Sequence, residues 1–154
     1  MKKIIPFVLA IASSTAFAAD SGEFYLGLKS GTLDVDVSGL DASTPKAAVI
    51  GYRKGSWGAE FEANYADVDY GYGSADFRSF ALYGVYRSEG DFYLKAKAGV
   101  LREELKVSFA SEEETGFSAG IGAGWRLGAV TLEAEYTIVE EDVNFYSLGA
   151  NFHF

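Results

Sequence analysis

Apolar and polar residues alternate one by one through most of this chain, and few folds can use such a pattern. In "WGAEFEANY", Trp57, Ala59, Phe61, Ala63 and Tyr65 fall on one face of an extended strand; Gly58, Glu60, Glu62 and Asn64 fall on the other. "VTLEAEYTI" sets Val130, Leu132, Ala134, Tyr136 and Ile138 against Thr131, Glu133, Glu135 and Thr137. "FYLKAKAGV" does the same with Lys95 and Lys97, and "GFSAGIGAGWRL" with Ser118 and three glycines. Eight such runs are predicted as strands, at 23–34, 45–53, 57–68, 77–87, 92–106, 115–127, 130–140 and 143–154. Short turns at Lys54-Gly55-Ser56, Ser88-Glu89-Gly90-Asp91 and Gly128-Ala129 alternate with longer polar connections at 35–44, 69–76 and 107–114. A tight turn near Glu141-Asp142 precedes the last strand.

The short turns repeat. "GYRKGSWGAEFEA", "VYRSEGDFYLKAKA" and "GWRLGAVTLEAE" each read aromatic, arginine, turn, then an outgoing strand with two charges on one face. Aligning Arg87 with Arg53 and Arg126 settles the ambiguous "FALYGVYR": Phe80, Leu82, Gly84 and Tyr86 share the face of Tyr52 and Trp125. Ala81, Tyr83, Val85 and Arg87 then take the charged face.

A soluble barrel turns its apolar face inward, whereas a membrane barrel turns it out to lipid and fills its lumen with polar groups. Aromatic placement favours the second. Phe24, Tyr25, Tyr52, Trp57, Tyr86, Phe92, Tyr93, Trp125, Phe152 and Phe154 all lie at the end of the strands that carries the short turns and both termini. That reads as an interfacial girdle, because Tyr and Trp rings are part apolar and part hydrogen-bonding. A weaker second ring is expected from Tyr65, Phe80, Phe117, Tyr136 and Tyr146. Hydrocarbon offers no hydrogen-bond partner, so first and last strands must pair and close the sheet.

Residues 1–18 stand apart. Lys2 and Lys3, the apolar run from Ile4 and the Ala16-Phe17-Ala18 sequence are the parts of a secretory signal peptide, with cleavage expected after Ala18. Residues 19–154 are then a single domain. Net charge is −9, and losing Lys2 and Lys3 takes it to −11, which argues against a nucleic-acid partner. There is no cysteine to staple the domain or bind zinc. After residue 18 no run of apolar residues is long enough for a transmembrane helix.

The signal peptide, eight alternating strands and a terminal phenylalanine resemble the small eight-stranded outer-membrane barrels of Gram-negative bacteria, the OmpA/OmpX-like group. "FYLGLKSG", from Phe24 to Gly31, is similar to the group's opening strand. Ser147, Gly149, Phe152 and Phe154 match its terminal assembly signal. The resemblance implies an all-β, eight-stranded antiparallel up-and-down transmembrane β-barrel in the outer membrane. It further implies contact with outer-membrane lipid and lipopolysaccharide, delivery by periplasmic chaperones to the barrel-assembly machinery, and a monomer. No cofactor is expected. A peptidoglycan-binding domain of the kind OmpA itself carries is not expected.

Eight strands leave a lumen just wide enough for side chains to fill. Lys29, Arg53, Glu60, Glu62, Arg87, Lys95, Lys97, Arg126, Glu133, Glu135 and His153 are the predicted lumen charges, meeting as an ion-pair plug. A narrow pore or small-molecule conduit is the first alternative, and a soluble periplasmic ligand-binding barrel the second. Catalysis is not expected, although lipid A deacylases and palmitoyltransferases use this scaffold. The one histidine, His153, lies at the periplasmic rim, and Ser147 is about 20 Å up the same strand. The opposite ends of the strands and their connections hold fourteen acids against four bases, Lys46, Arg78, Arg102 and Lys106. This acidic rim suggests a structural or adhesive surface protein, with a surface ligand or divalent cations as candidate partners. The spacing of a calcium-binding hand is absent, and no metal ligands are assigned.

Overall fold

The computed structural model describes residues 22–35, 44–70, 73–107, 110–140 and 143–154. The expected signal peptide, with Ala16 and Ala18, lies outside them. Eight strands follow in chain order: β1 Glu23–Val35, β2 Lys46–Lys54, β3 Trp57–Tyr70, β4 Gly73–Arg87, β5 Phe92–Val107, β6 Ala110–Leu127, β7 Val130–Glu140 and β8 Val143–His153. Each pairs antiparallel with its neighbour, and β8 returns to β1, so the sheet is a closed barrel. The Phe154 N–H donates to the Phe24 carbonyl at 2.9 Å, extending the seam to the last residue.

Alternation sorts the faces as a membrane barrel requires. Leu28, Phe117 and Leu148 are exposed on the outside at 71%, 70% and 72%, while Glu60, Arg87 and Lys95 are buried inside. Around the turn end, Phe24, Trp57, Tyr86, Phe92, Trp125, Phe152 and Phe154 all face outward. Phe24 packs on Tyr52, Trp57 on Tyr86 and Phe152 on Phe154. The second ring is present too, with Tyr136 against Tyr146 and Phe61 against Phe80.

Two expectations change. Tyr25 and Tyr93 are not girdle residues: they sit inside at 0% and 1% exposure, because the period of two puts each on the opposite face from Phe24 and Phe92. The expected loops 69–76 and 107–114 are largely strand. Tyr70 pairs with Gly73 and Val107 with Ala110, so β3–β4 and β5–β6 are long hairpins whose connections are residues 71–72 and 108–109. Their Asp, Glu and Ser residues are polar on both faces, as strands rising into water allow. The acids Glu112, Glu113 and Glu114 therefore belong to β6.

At the short turns Gly55 and Gly128 take positive φ, 62° and 69°, which a two-residue hairpin turn demands of its residues.

Candidate functional site

The lumen holds the concentration of chemistry. Four cations and four carboxylates from five strands meet there with side chains at most 2% exposed. Lys29 Nζ lies 2.6 Å from both Glu62 Oε1 and Glu135 Oε2. Lys97 Nζ reaches the same two carboxylates at 2.6 and 3.0 Å. Nearer the turns, Arg87 donates to Glu60 at 2.5 Å and to Glu133 at 3.0 Å. Lys95 links the two groups, donating to Glu60 at 2.7 Å, to Glu133 at 2.8 Å and to Glu135. Tyr25 and Tyr93 complete the set, with hydroxyls donating to Glu60 at 2.8 Å and Glu133 at 2.6 Å. Charges cancel within the cluster, which is the condition under which buried ions are tolerated.

The arrangement has an approximate two-fold repeat. Phe24-Tyr25-Leu26 opens β1 and Phe92-Tyr93-Leu94 opens β5, with Lys29 and Lys97 following at equal spacing. Gly51-Tyr52-Arg53 in β2 matches Gly124-Trp125-Arg126 in β6, and Glu60/Glu62 in β3 match Glu133/Glu135 in β7. Register follows: Tyr25, Gly51, Glu60 and Tyr83 stand side by side across β1–β4. Tyr93, Gly124, Glu133 and Gly149 do so across β5–β8. Each tyrosine lies flat over the glycine beside it to reach the glutamate one strand further. A Cβ on Gly51 would stand 2.0 Å from the Tyr25 ring, and one on Gly124 2.4 Å from the Tyr93 ring. The repeat breaks where β5 has Lys95 and β1 has Gly27, and where β4 has Arg87 and β8 has His153.

Three predicted lumen cations stay out of this cluster. Arg53, Arg126 and His153 converge on Glu23 Oε1 at the rim that carries the short turns, at 3.1, 3.8 and 3.4 Å. His153 stacks on Tyr25, with ring centroids 5.0 Å apart, and its Nε2 lies 3.1 Å from Thr131 Oγ1. Ser147 is buried further up β8 with no contact to His153. Beside the charges Ala81, Tyr83, Val85, Leu101 and Phe145 form an apolar cluster inside the barrel, with Lys97 Nζ 4.3 Å from the Tyr83 ring centroid. Tyr83 and Ser118 share a hydrogen bond of 3.0 Å beside it.

A closed, eight-stranded, apolar-outside barrel with an internally neutralised lumen is the frame in which the sequence comparison is decisive. The family model described as outer membrane protein beta-barrel domain matches residues 5–154. The chain belongs to this family. As an outer membrane protein β-barrel it resides in the outer membrane of a Gram-negative bacterium. Among curated proteins, none matches it at the level of sequence. Solved outer-membrane barrels share the fold at low identity. Neisserial surface protein A aligns with TM-score 0.64 and 16% identity, over 85% of this chain and 97% of that one. The Ail attachment invasion locus protein of Yersinia pestis, in complex with the heparin analogue sucrose octasulfate, aligns with TM-score 0.57 and 16% identity, over 87% and 98%. The N-terminal β-barrel domain of Pseudomonas aeruginosa OprF aligns with TM-score 0.55 and 15% identity, over 86% and 99%.

Sequence reasoning passed over three participants: Tyr25, Tyr93 and Glu23. For the tyrosines a signal was present in the repeated "FYL" at Phe24–Leu26 and Phe92–Leu94, each with a glutamate face two strands later. Glu23 sits at the first position of β1, where no alternation yet marks a face.

Proposed function

We propose that this outer-membrane barrel is a non-conducting, non-catalytic surface protein. Its lumen charges act as a plug, and its acidic outer end meets cationic partners or divalent ions. The observation that carries the plug is the Lys95 ammonium, held by Glu60, Glu133 and Glu135 from two facing strands. An ion crossing the barrel would have to break such contacts without water to replace them. In planar bilayers the purified barrel is expected to give no steady, selective single-channel current. Such currents would favour the conduit reading instead.

The reading as a non-enzyme rests on burial. The one hydroxyl in line with His153 is that of Thr131, 3.1 Å from Nε2 with Glu23 on the Nδ1 side, and Thr131 is fully buried in the lumen, where a lipid substrate does not reach it. The acidic rim supports a surface role of a particular sign. Fourteen acids against four bases leave about −10 at that end of the strands and their connections, with Asp36, Asp41, Glu141 and Asp142 outside the described residues. A sulfated sugar such as the one in the Ail complex would be repelled there. Cleavage after Ala18, chaperone-guided delivery, insertion through Ser147, Gly149, Phe152 and Phe154, and a monomeric state complete the reading.

A further inference from the structure

The cations of the lumen cluster all donate to carboxylates; those at the short-turn rim do not. Arg53 from β2, Arg126 from β6 and His153 from β8 crowd Glu23 Oε1, yet this oxygen accepts no hydrogen bond, although Arg53 Nε comes within 3.1 Å. Arg126 Nη2, at 3.8 Å, is in Coulombic contact only. Arg126 Nε and His153 Nδ1 are themselves buried without a hydrogen-bond partner. The His153 side chain is only 7% exposed, and its Nδ1 edge is the one that faces Glu23. Thr131 Oγ1 accepts from Asn151 Nδ2, so its own proton is free for His153 Nε2, which leaves Nδ1 as an N–H donor.

The two-fold repeat accounts for the surplus of donors. Arg53 and Arg126 hold matching places in the two halves, and the matching acids are Glu23 and Asp91. Asp91 takes the Arg126 backbone N–H on its backbone carbonyl at 2.7 Å. Its exposed carboxylate forms no ion pair with the Arg126 guanidinium. Both arginines turn to Glu23 instead, so two guanidiniums and an imidazole share one carboxylate. The place is open on one side only. Glu23, Arg53 and Arg126 are partly exposed, whereas Tyr25, Thr131 and Asn151 behind them are fully buried. One anionic group can enter from the rim; a chain cannot pass through. In outer-membrane barrels the short-turn rim opens to the periplasm.

We propose that this mouth binds one carboxylate group, of a small acid or of a peptide chain end, between the Arg53 and Arg126 guanidiniums and beside His153 Nδ1. Such a group brings the acceptor atoms that the unpartnered donors lack, and charge-assisted guanidinium–carboxylate bonds are among the strong ones. Its single negative charge cancels the one that Glu23 leaves over. The site lies at the opposite end of the barrel from the acidic rim and does not depend on the lumen plug.

His153 is the chain's single histidine, so its imidazole is a unique NMR reporter in the refolded, untagged barrel. Titration at constant pH with acetate, or with N-acetyl-alanyl-alanine, is expected to shift its signal along a saturating one-site curve. The amide of the same dipeptide, and sodium chloride at equal ionic strength, should leave it in place. Acetate binding as tightly as the dipeptide marks a small-acid site; tighter dipeptide binding marks a site for peptide ends. Arg126→Gln should weaken binding by about tenfold. Glu23→Gln removes the competing carboxylate and should tighten it severalfold. Lys54→Gln, an exposed charge on the outward face beside the group, should change nothing. Heat-modifiable gel migration selects folded protein for every variant. A shift that follows ionic strength alone, wild-type affinity in Arg126→Gln, or weaker binding in Glu23→Gln would each overturn the proposal.

Discussion

At Lys95 a single buried ammonium holds three carboxylates from two strands, Glu60 on β3 and Glu133 and Glu135 on β7. Each of those carboxylates also has another cation: Arg87 for Glu60 and Glu133, Lys29 and Lys97 for Glu135. Buried ion pairs add little net stability over a well-packed apolar core, but removing one partner strands the other. Lys95→Met keeps most of the volume and leaves the cluster with one surplus negative charge. It should lower the unfolding free energy in lipid bilayers by about 3 kcal/mol, seen as a lower denaturant midpoint. Adding Glu135→Gln restores neutrality and should recover part of that loss. If the single variant is as stable as wild type, the cluster is not what holds the lumen together. The Tyr25 and Tyr93 hydroxyls each fill an acceptor position on a glutamate oxygen that also takes Arg87. On Glu60 all three donors, Tyr25, Arg87 and Lys95, share Oε1, while Oε2 is buried with no hydrogen-bond partner.

Between neighbouring strands the recurring device is a tyrosine laid across a glycine to a glutamate, at Tyr25–Gly51–Glu60 and again at Tyr93–Gly124–Glu133. The glycine is there for room, since any Cβ would enter the ring. Gly124→Ala should therefore destabilise the barrel by about 1–3 kcal/mol, in the range of core overpacking. In a Tyr93→Ala background the same change should cost far less. A double-mutant cycle of unfolding midpoints reads this coupling, and additive effects would show that Gly124 serves something other than the ring. The strands themselves were legible in the sequence wherever one face meets lipid and the other the lumen, because only there do the two faces differ in polarity. The outer ends of β4 and β6 were not, since a strand in water on both sides has no reason to alternate. The charged lumen face was legible from Glu60/Glu62, Lys95/Lys97 and Glu133/Glu135. How those charges divide into a neutral cluster and a separate rim group on Glu23 was not, because it depends on register across strands far apart in sequence.

Over the whole molecule the two halves, β1–β4 and β5–β8, keep the same internal register, but their seams differ. Arg87 stands opposite Lys95 where β4 meets β5, and His153 opposite Tyr25 where β8 meets β1. The β4–β5 seam thus brings Arg87 beside Lys95, and the closing β8–β1 seam leaves His153 at the rim. It also makes the last residue structural, since the Phe154 N–H bonds the Phe24 carbonyl. The terminal phenylalanine has two separable jobs under the assembly reading: its backbone seals the seam, and its side chain, outward beside Phe152, is recognised during insertion. Phe154→Ala keeps the backbone bond and removes only the ring, which is exposed to lipid and contributes about 1 kcal/mol or less to the folded state. Refolding into detergent or short-chain lipid should proceed as in wild type, with the same heat-modifiable shift. In cells, the amount of barrel recovered from the outer membrane should fall severalfold, with the remainder degraded or held by periplasmic chaperones. Equal outer-membrane levels would assign Phe154 to the girdle alone. A parallel loss of refolding in vitro would mean that the ring stabilises the seam itself.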